Sequence, residues 1–317
     1  MDQVVVAVVA TYNRKELLCE CLDALLRQTY RLYKIVVVDN ASTDGTHDAL
    51  EAGGYVSRDE ICYLRLSKNI GGAGGFYEGM KYVQNNISYD WQWIMDDDTI
   101  PYEDSLEQLM RGYGTIVGTH PQRKVSFLAS AIYLENGTMG NWPVVDLRRL
   151  HDEKIGWLEF ADRGILKIHD AAFTSIAVSH FAVSKCGLPC RDFFIWGDDY
   201  EYTTRLSTYC APAYCVSKSK ALHKRINVGW IDTATSPMRI RFTYYNARNY
   251  TINTIFYNGW WKGLKYAVVR LLLSYRTIRY VKGCSKWRYE VLGVLSGLFS
   301  YRRFANFIRR EMCDVIP

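Results

Sequence analysis

No two cysteines of this 317-residue sequence stand as C-x-x-C, and no cysteine and histidine spacing fits a zinc site. The nine cysteines (Cys19, Cys21, Cys62, Cys186, Cys190, Cys210, Cys215, Cys284 and Cys313) are scattered and odd in number, which reads as reduced thiols in a cytosolic protein. No window reaches about 18 uninterrupted apolar residues, so no membrane span is expected. Only Met1-Asp2-Gln3 precedes the first valine run, without a basic n-region or a small-residue cleavage site, and no signal peptide is expected. Internal repeats and low-complexity tracts are also missing. What is present can build a large core, for 49% of residues are apolar and 14% aromatic.

The net charge of +6 conceals an asymmetry. Residues 1–217 carry 20 Lys+Arg and 29 Asp+Glu, a balance of −9, whereas residues 218–317 carry 19 and 4, a balance of +15. A basic final third implies a polyanionic partner: nucleic acid, an anionic membrane surface or a phosphorylated ligand.

"VVVAVVA" (Val4 to Ala10) and "YKIVVVDN" (Tyr33 to Asn40) are strand-length runs apolar on both faces, as in a parallel sheet covered by helices. Between them Leu17, Leu18, Cys21, Leu22, Leu25 and Leu26 fall at helical spacing, with Asn13 as the expected N-cap. "ICYLRLS" and "WQWIM" supply a third and a fourth strand, and "GGFYEGMKYVQNN" the helix between them. The alternation predicts an open α/β sheet whose ligands bind beyond the carboxyl ends of the strands. Polar clusters follow all four strands: Thr11 to Arg14, Asp39-Asn40, Asn69 to Gly75 and Asp96 to Asp98. Further on, "VSFLASAIYL" reads as a strand, Glu135-Asn136-Gly137 as a hairpin turn, and the chain from Met238 as helical.

Three adjacent aspartates after a strand form either a solvated turn or a cation site. Their mutual repulsion favours a cation, and Mg²⁺ or Mn²⁺ prefers carboxylate and phosphate oxygens. Strand alternation would point Asp96 and Asp98 to one side and Asp97 to the other. The four glycines of "NIGGAGGF" would let the backbone approach a ligand closely ahead of a helix, although the stretch is neither GxGxxG nor a Walker A sequence. A second acidic pair, Asp198-Asp199, is bracketed by Phe194, Trp196 and Tyr200. It reads either as acids at a helix start, with Glu201 and Arg205 as an i,i+4 pair, or as partly desolvated carboxylates suited to general-base work. His223 ends a strand expected over Ala213 to Leu222.

In this order, "VVATYNR", "VVVDNASTDGT", "NIGGAGGF", "WIMDDDTIP", "GLPCRDFFIWGDDYEYTTR" and "ALHKR" resemble the family 2 inverting glycosyltransferases with the GT-A fold, a Rossmann-like mixed sheet. The resemblance spans about residues 4–225, and within the family GGAGGF and IWGDDYEY look like the bacterial galactofuranosyltransferases, then the rhamnosyltransferases. It implies that Thr11, Tyr12, Arg14, Asp39 and Asn69 hold the donor nucleotide, and that Gly71, Gly72, Gly74, Gly75 and Asp97 line the diphosphate and sugar. Asp96, Asp98 and His223 would bind Mn²⁺ or Mg²⁺, Asp199 would be the base, and Asp198 with Trp196 would meet the acceptor. One departure stands out: where such enzymes often carry paired tryptophans, this chain has "AAFTSIAV", Ala171 to Val178.

The expected organisation is a catalytic domain over 1–237 and a helical, basic-aromatic region over 238–317 associated with membrane or acceptor. The expected partners are a sugar nucleotide, UDP-galactofuranose or else dTDP-rhamnose, and a saccharide or lipid-linked saccharide acceptor, without nucleic acid. In the tail, Trp260, Trp261, Tyr266 and Leu271 to Leu273 could meet lipid, with Lys262, Lys265, Arg270, Arg276 and Arg279 near anionic headgroups, or the helices could simply pack on the catalytic domain. This points to a cytoplasmic enzyme peripheral to the inner face of the plasma membrane. Single-stranded nucleic-acid binding by the tail, or nucleotidyl transfer by the whole chain, are the readings from other classes.

Overall fold

The computed structural model describes residues 3–148, 156–224, 237–278 and 284–312. Strand β1 (Val5–Thr11) is buried at every position, as a run of valines apolar on both faces requires. Val5, Ala7 and Val9 face one apolar layer with Leu18, Leu22 and Trp93; Val6, Val8 and Ala10 face the other with Phe76, Met80 and Ile94. Helix α1 (Lys15–Leu26) returns the chain to β2 (Lys34–Asp39), which pairs parallel to β1 and sets Asp39 opposite Thr11. Helix α2 (Thr46–Ala52), β3 (Ile61–Arg65), α3 (Gly71–Asn86) and β4 (Trp91–Asp96) complete a parallel β3-β2-β1-β4 block. The four expected strands and their polar C-terminal ends are all found here.

Beyond β4 the sheet becomes mixed. The chain continues through β5 (Thr99–Pro101), α4 (Ser105–Thr119), β6 (Phe127–Leu134), β7 (Met139–Gly140), β8 (Val144–Val145), β9 (Ile165–Asp170), β10 (Thr174–Ser179), α5 (His180–Cys186), α6 (Asp198–Tyr209) and β11 (Ala213–His223). The sheet order is β3-β2-β1-β4-β10-β6-β11-β9-β8, with β10 antiparallel to both β4 and β6. The turn expected at Glu135-Asn136-Gly137 joins β6 to β7, and Gly137 takes the left-handed φ of 77° that such a turn favours.

Among the described residues β11 is followed by three helices: α7 (Pro237–Asn258), α8 (Trp260–Ile278) and α9 (Cys284–Glu311). Helices α7 and α9 approach closely because α9 presents glycines: a Cβ on Gly293 would fall 2.4 Å from the Tyr244 carbonyl oxygen. No helix among the described residues is long and apolar enough to cross a membrane. Asn13 is not the cap of α1. Arg14 occupies that position without a side-chain cap bond, while Asn13, at φ 54°, accepts the Thr43 amide at 2.7 Å and ties the β1 and β2 loops together.

Candidate active site

Strand β4 ends at Asp96 and the chain turns through Asp97 and Asp98 before β5. The aspartates therefore do not alternate as strand residues, yet the turn still brings Asp96 and Asp98 together. Asp97 is anchored inward, accepting from Thr11 Oγ1 at 2.7 Å and Arg14 Nη1 at 3.1 Å. The same guanidinium reaches Asp98 Oδ2 at 2.6 Å. Strand β11 pairs with β5 so that His223 lies opposite Thr99, one residue from Asp98 in sequence. Candidate ligand atoms of Asp96, Asp98 and His223 consequently all lie within 4.8 Å of one another.

The donor set suits a divalent ion. Nε2 of His223 stands 3.1 Å from Oδ1 of Asp98, but that buried oxygen has no partner in hydrogen-bonding geometry. The other ring nitrogen, Nδ1, is 3.0 Å from Asn141 Oδ1 and its N–H donates there, so Nε2 is the nitrogen directed at Asp98 and available to a metal. Burial, reinforced by Asp98 and Asp97, pushes the Asp96 carboxyl far above the usual range. Burial likewise pushes Asp97 up to about 6 against the pull of Arg14. Burial also opposes ionisation of Asp98, but His223 and Arg14 hold it below its ordinary value. Three carboxylates facing one guanidinium carry an excess of negative charge, which a divalent cation bound by two oxygens and a nitrogen would balance.

On the donor side the expected residues divide by exposure. Thr11 and Asp39 are buried, whereas Tyr12 and Arg14 are exposed and Asn69 is half-buried. Asp39 shapes its own loop, accepting the Ser42 amide at 2.8 Å and the Tyr63 hydroxyl at 2.5 Å. Asn69 Oδ1 accepts the Gly71 amide at 2.8 Å. The glycine-rich stretch is not a loop ahead of a helix but the first turns of α3. A Cβ on Gly71 would fall 2.0 Å from the Phe194 carbonyl oxygen, so that glycine lets α3 abut the loop before α6. Gly74 and Gly75 are crowded by Ile70 and Asn40; a Cβ on Gly72 would meet nothing within 4 Å.

The second acidic pair opens α6, where the helix dipole favours negative charge. The loop before it is contorted: Phe194, Trp196 and Gly197 take φ of 66°, 61° and 85°. Helix α7 holds that shape. Asn249 Nδ2 donates to the carbonyls of Phe193, Ile195 and Trp196 at 2.9, 3.1 and 2.7 Å, and Asn253 Nδ2 to that of Gly197 at 2.9 Å. Trp196 packs edge-on against Phe242 at 5.8 Å and remains partly exposed. Burial and then Asp199 push the buried Asp198 up to about 7. Asp199, half-buried, is also raised by burial, although it accepts the Tyr200 amide at 2.7 Å. The Asp198 charge also helps to raise Asp96, so the two acidic clusters lie near enough to act on each other. The expected Glu201–Arg205 pair is present at 2.9 Å, fully buried and structural, with Arg205 also donating to the carbonyls of Cys186 and Leu188.

Sequence reasoning missed three features. Asp170, at the end of β9 and 2.8 Å from His169 Nδ1, is a third acid near the pair, and its charge raises Asp199. A carboxylate ending a strand was its only signal. Asn141 and the α7 amides carry no local signal. The Ala171 to Val178 segment, where the resemblance raised the expectation of paired tryptophans, is core: Phe173 packs on Phe76 at 5.0 Å and Tyr202 at 6.1 Å.

Residues 6–133 match the family model described as glycosyl transferase family 2. Over 271 residues the chain is 26% identical to the galactofuranosyltransferase GlfT1 of Mycolicibacterium smegmatis, covering 79% of this chain and 83% of that protein. The fold is similar to that of GalNAc-T7 solved with UDP, GalNAc and Mn²⁺, with a TM-score of 0.59 at 12% identity; the match covers 99% of this chain but only 59% of that longer one. It is also similar to the mannosyltransferase PcManGT of Pyrobaculum calidifontis in complex with GDP-Man and Mn²⁺, with a TM-score of 0.54 at 14% identity, covering 95% and 88% of the two chains. The match decides against nucleotidyl transfer: the chain is a glycosyltransferase, carrying a family 2 domain on a GT-A fold.

Proposed function

We propose that the enzyme moves galactofuranose from UDP-galactofuranose, with inversion, to a hydroxyl of a glycan or lipid-linked saccharide, assisted by Mn²⁺ or Mg²⁺. The observation that carries this reading is the convergence of candidate ligand atoms of Asp96, Asp98 and His223 within 4.8 Å, with Asp198 near enough to act on Asp96. The relative named GlfT1, aligned over 79% of the chain, supports the choice of sugar. The same reading sets the enzyme in the cytoplasm, at the inner face of the plasma membrane.

A divalent ion, when bound, supplies stabilisation of the charge that develops on the leaving diphosphate. Asp96, Asp98 and His223 would hold it. Arg14 fixes Asp97 and Asp98 and carries positive charge on the donor side. Asp199, the less buried of its pair, takes the proton of the acceptor hydroxyl while that oxygen bonds the anomeric carbon and the carbon–phosphate oxygen bond breaks. A carboxyl raised toward neutrality is a better base than an exposed aspartate. Asp198, beneath it, would orient the acceptor with Trp196. One base suffices because attack from the face opposite the diphosphate forms no enzyme-linked sugar.

The test is a screen of sugar nucleotides, dTDP-rhamnose included, for metal-dependent release of free nucleoside diphosphate. UDP-galactofuranose should be turned over by the wild type, and Asp199→Asn should lose turnover by at least about a hundredfold while retaining donor binding. Normal turnover in Asp199→Asn, or preference for another donor, would reject the assignment.

A further inference from the structure

We propose that α8, with the adjoining side of α9, is a docking surface for a bilayer containing anionic lipid. Helix α8 turns part of its polar side inward. Arg270 pairs with the buried Glu290 at 2.5 Å, reaches Asn246 Oδ1 at 2.7 Å, and contacts the Tyr266 hydroxyl at 2.5 Å. Leu271 packs inward beside Ala267. Large apolar side chains turn outward instead: Trp261 is 87% exposed and Leu272 61%, with Leu264, Val268, Leu273 and Tyr275 exposed as well. Positions 261, 264, 268, 272 and 275 recur three or four residues apart, so they form one stripe.

Helix α9 extends the stripe. Leu292, Leu295 and Phe299 follow the same spacing, and Phe299 is 85% exposed. Ring contacts join the helices at both ends, Trp260 to Tyr301 at 5.2 Å and Tyr275 to Trp287 at 6.5 Å. Some sequence expectations change accordingly. Trp261, Leu272 and Leu273 face outward as the lipid reading requires and Trp260 is half-exposed, but Tyr266, Arg270 and Leu271 belong to the internal packing. Arg279 and the side chain of Arg276 lie outside the described residues.

Charge selects the occupant. Exposed Lys262, Lys265, Arg288 and Arg302 lie on the same two helices, and the only acids between residues 237 and 312 are Glu290, buried on Arg270, and Glu311, which accepts the Leu188 amide. A second copy docking through the same face would oppose lysine to lysine, whereas anionic headgroups complement the basic side chains and the acyl boundary takes the tryptophan, leucine and phenylalanine. Helix α7 bridges α8 and the catalytic loop: a Cβ on Gly263 of α8 would press on Ile255, while Asn249 and Asn253 hold residues 193–197. A membrane-borne acceptor would thus meet the enzyme on helices that pack against the catalytic loop.

Flotation of the full chain with vesicles tests this without reference to the donor sugar. The chain should float with vesicles of equal phosphatidylglycerol and phosphatidylcholine, and at least about tenfold more weakly with phosphatidylcholine alone. Two double variants, Leu272→Glu with Phe299→Glu and Lys262→Glu with Lys265→Glu, should each lose about tenfold or more in vesicle affinity while keeping the wild-type circular dichroism spectrum. A chain that stays with neither kind of vesicle, or floats equally well in both variants, overturns the proposal. So does a concentration-dependent dimer in sedimentation that Leu272→Glu dissolves.

Discussion

Replacing Asn249 by alanine probes how the catalytic loop is held. The side chain is fully buried and its single amide nitrogen meets three carbonyls, those of Phe193, Ile195 and Trp196. An amide has two N–H donors, so two full bonds are lost, each worth about 1 kcal/mol net, and desolvated carbonyls left behind add about 1–3 kcal/mol. The expected loss of stability is about 3–5 kcal/mol, or a fall in Tm of several degrees for a chain of this length. The larger consequence concerns Phe194 and Trp196, whose left-handed φ of 66° and 61° each cost on the order of 1–3 kcal/mol unless the surroundings enforce them. Released, the loop should relax and misplace the start of α6, and with it Asp199. A displacement of about 1 Å can lower turnover about a hundredfold. Thermal unfolding and steady-state kinetics in the same buffer give the two readouts, with titration of nucleoside diphosphate and metal as control. Turnover unchanged despite the lower Tm, or donor affinity falling as steeply as kcat, would refute the reasoning.

Three further outcomes follow from the site. Asn141→Ala should weaken Mn²⁺ binding by about 10–100-fold, because His223 would lose the acceptor that fixes its tautomer; unchanged affinity in calorimetry would contradict that role. Asp98→Ala should abolish the metal dependence of UDP binding, and metal-dependent binding of wild-type strength would exclude it as a ligand. Because burial raises Asp198 to about 7, the folded state holds that proton more tightly than the unfolded chain, whose carboxyl titrates near 4. Its contribution to stability is therefore fully present below about pH 4 and lost as pH rises through about 7. In metal-free protein, Tm should fall less between pH 5 and 7 in Asp198→Asn than in the wild type, and parallel curves would contradict the assigned burial.

The β1 to β4 block was legible because its strands are uninterrupted apolar runs and its helices carry leucines at helical spacing, so local pattern and final burial coincide. The insertion of β10 between β4 and β6 left no such trace, for strand order depends on pairing between distant segments. The aspartate triplet announced itself by its own repulsion. Its meeting with His223, however, depends on β11 pairing with β5 across more than a hundred residues, and only the family resemblance singled that histidine out. The glycine run was read as a loop on propensity. It opens α3 instead, with Gly71 at a left-handed φ of 80° letting the helix start abut Phe194. Asn249 and Asn253 were invisible because an asparagine in a helix looks like a surface residue until its carbonyl partners are known.

The central claim is that one cation joins Asp96, Asp98 and His223. Anomalous scattering at the manganese edge, from crystals grown with Mn²⁺ and UDP, tests it most directly. The account predicts one peak within about 2.0–2.3 Å of an oxygen from each aspartate and of Nε2 of His223. A manganese peak held by other side chains, with UDP bound and these three residues untouched, would contradict it.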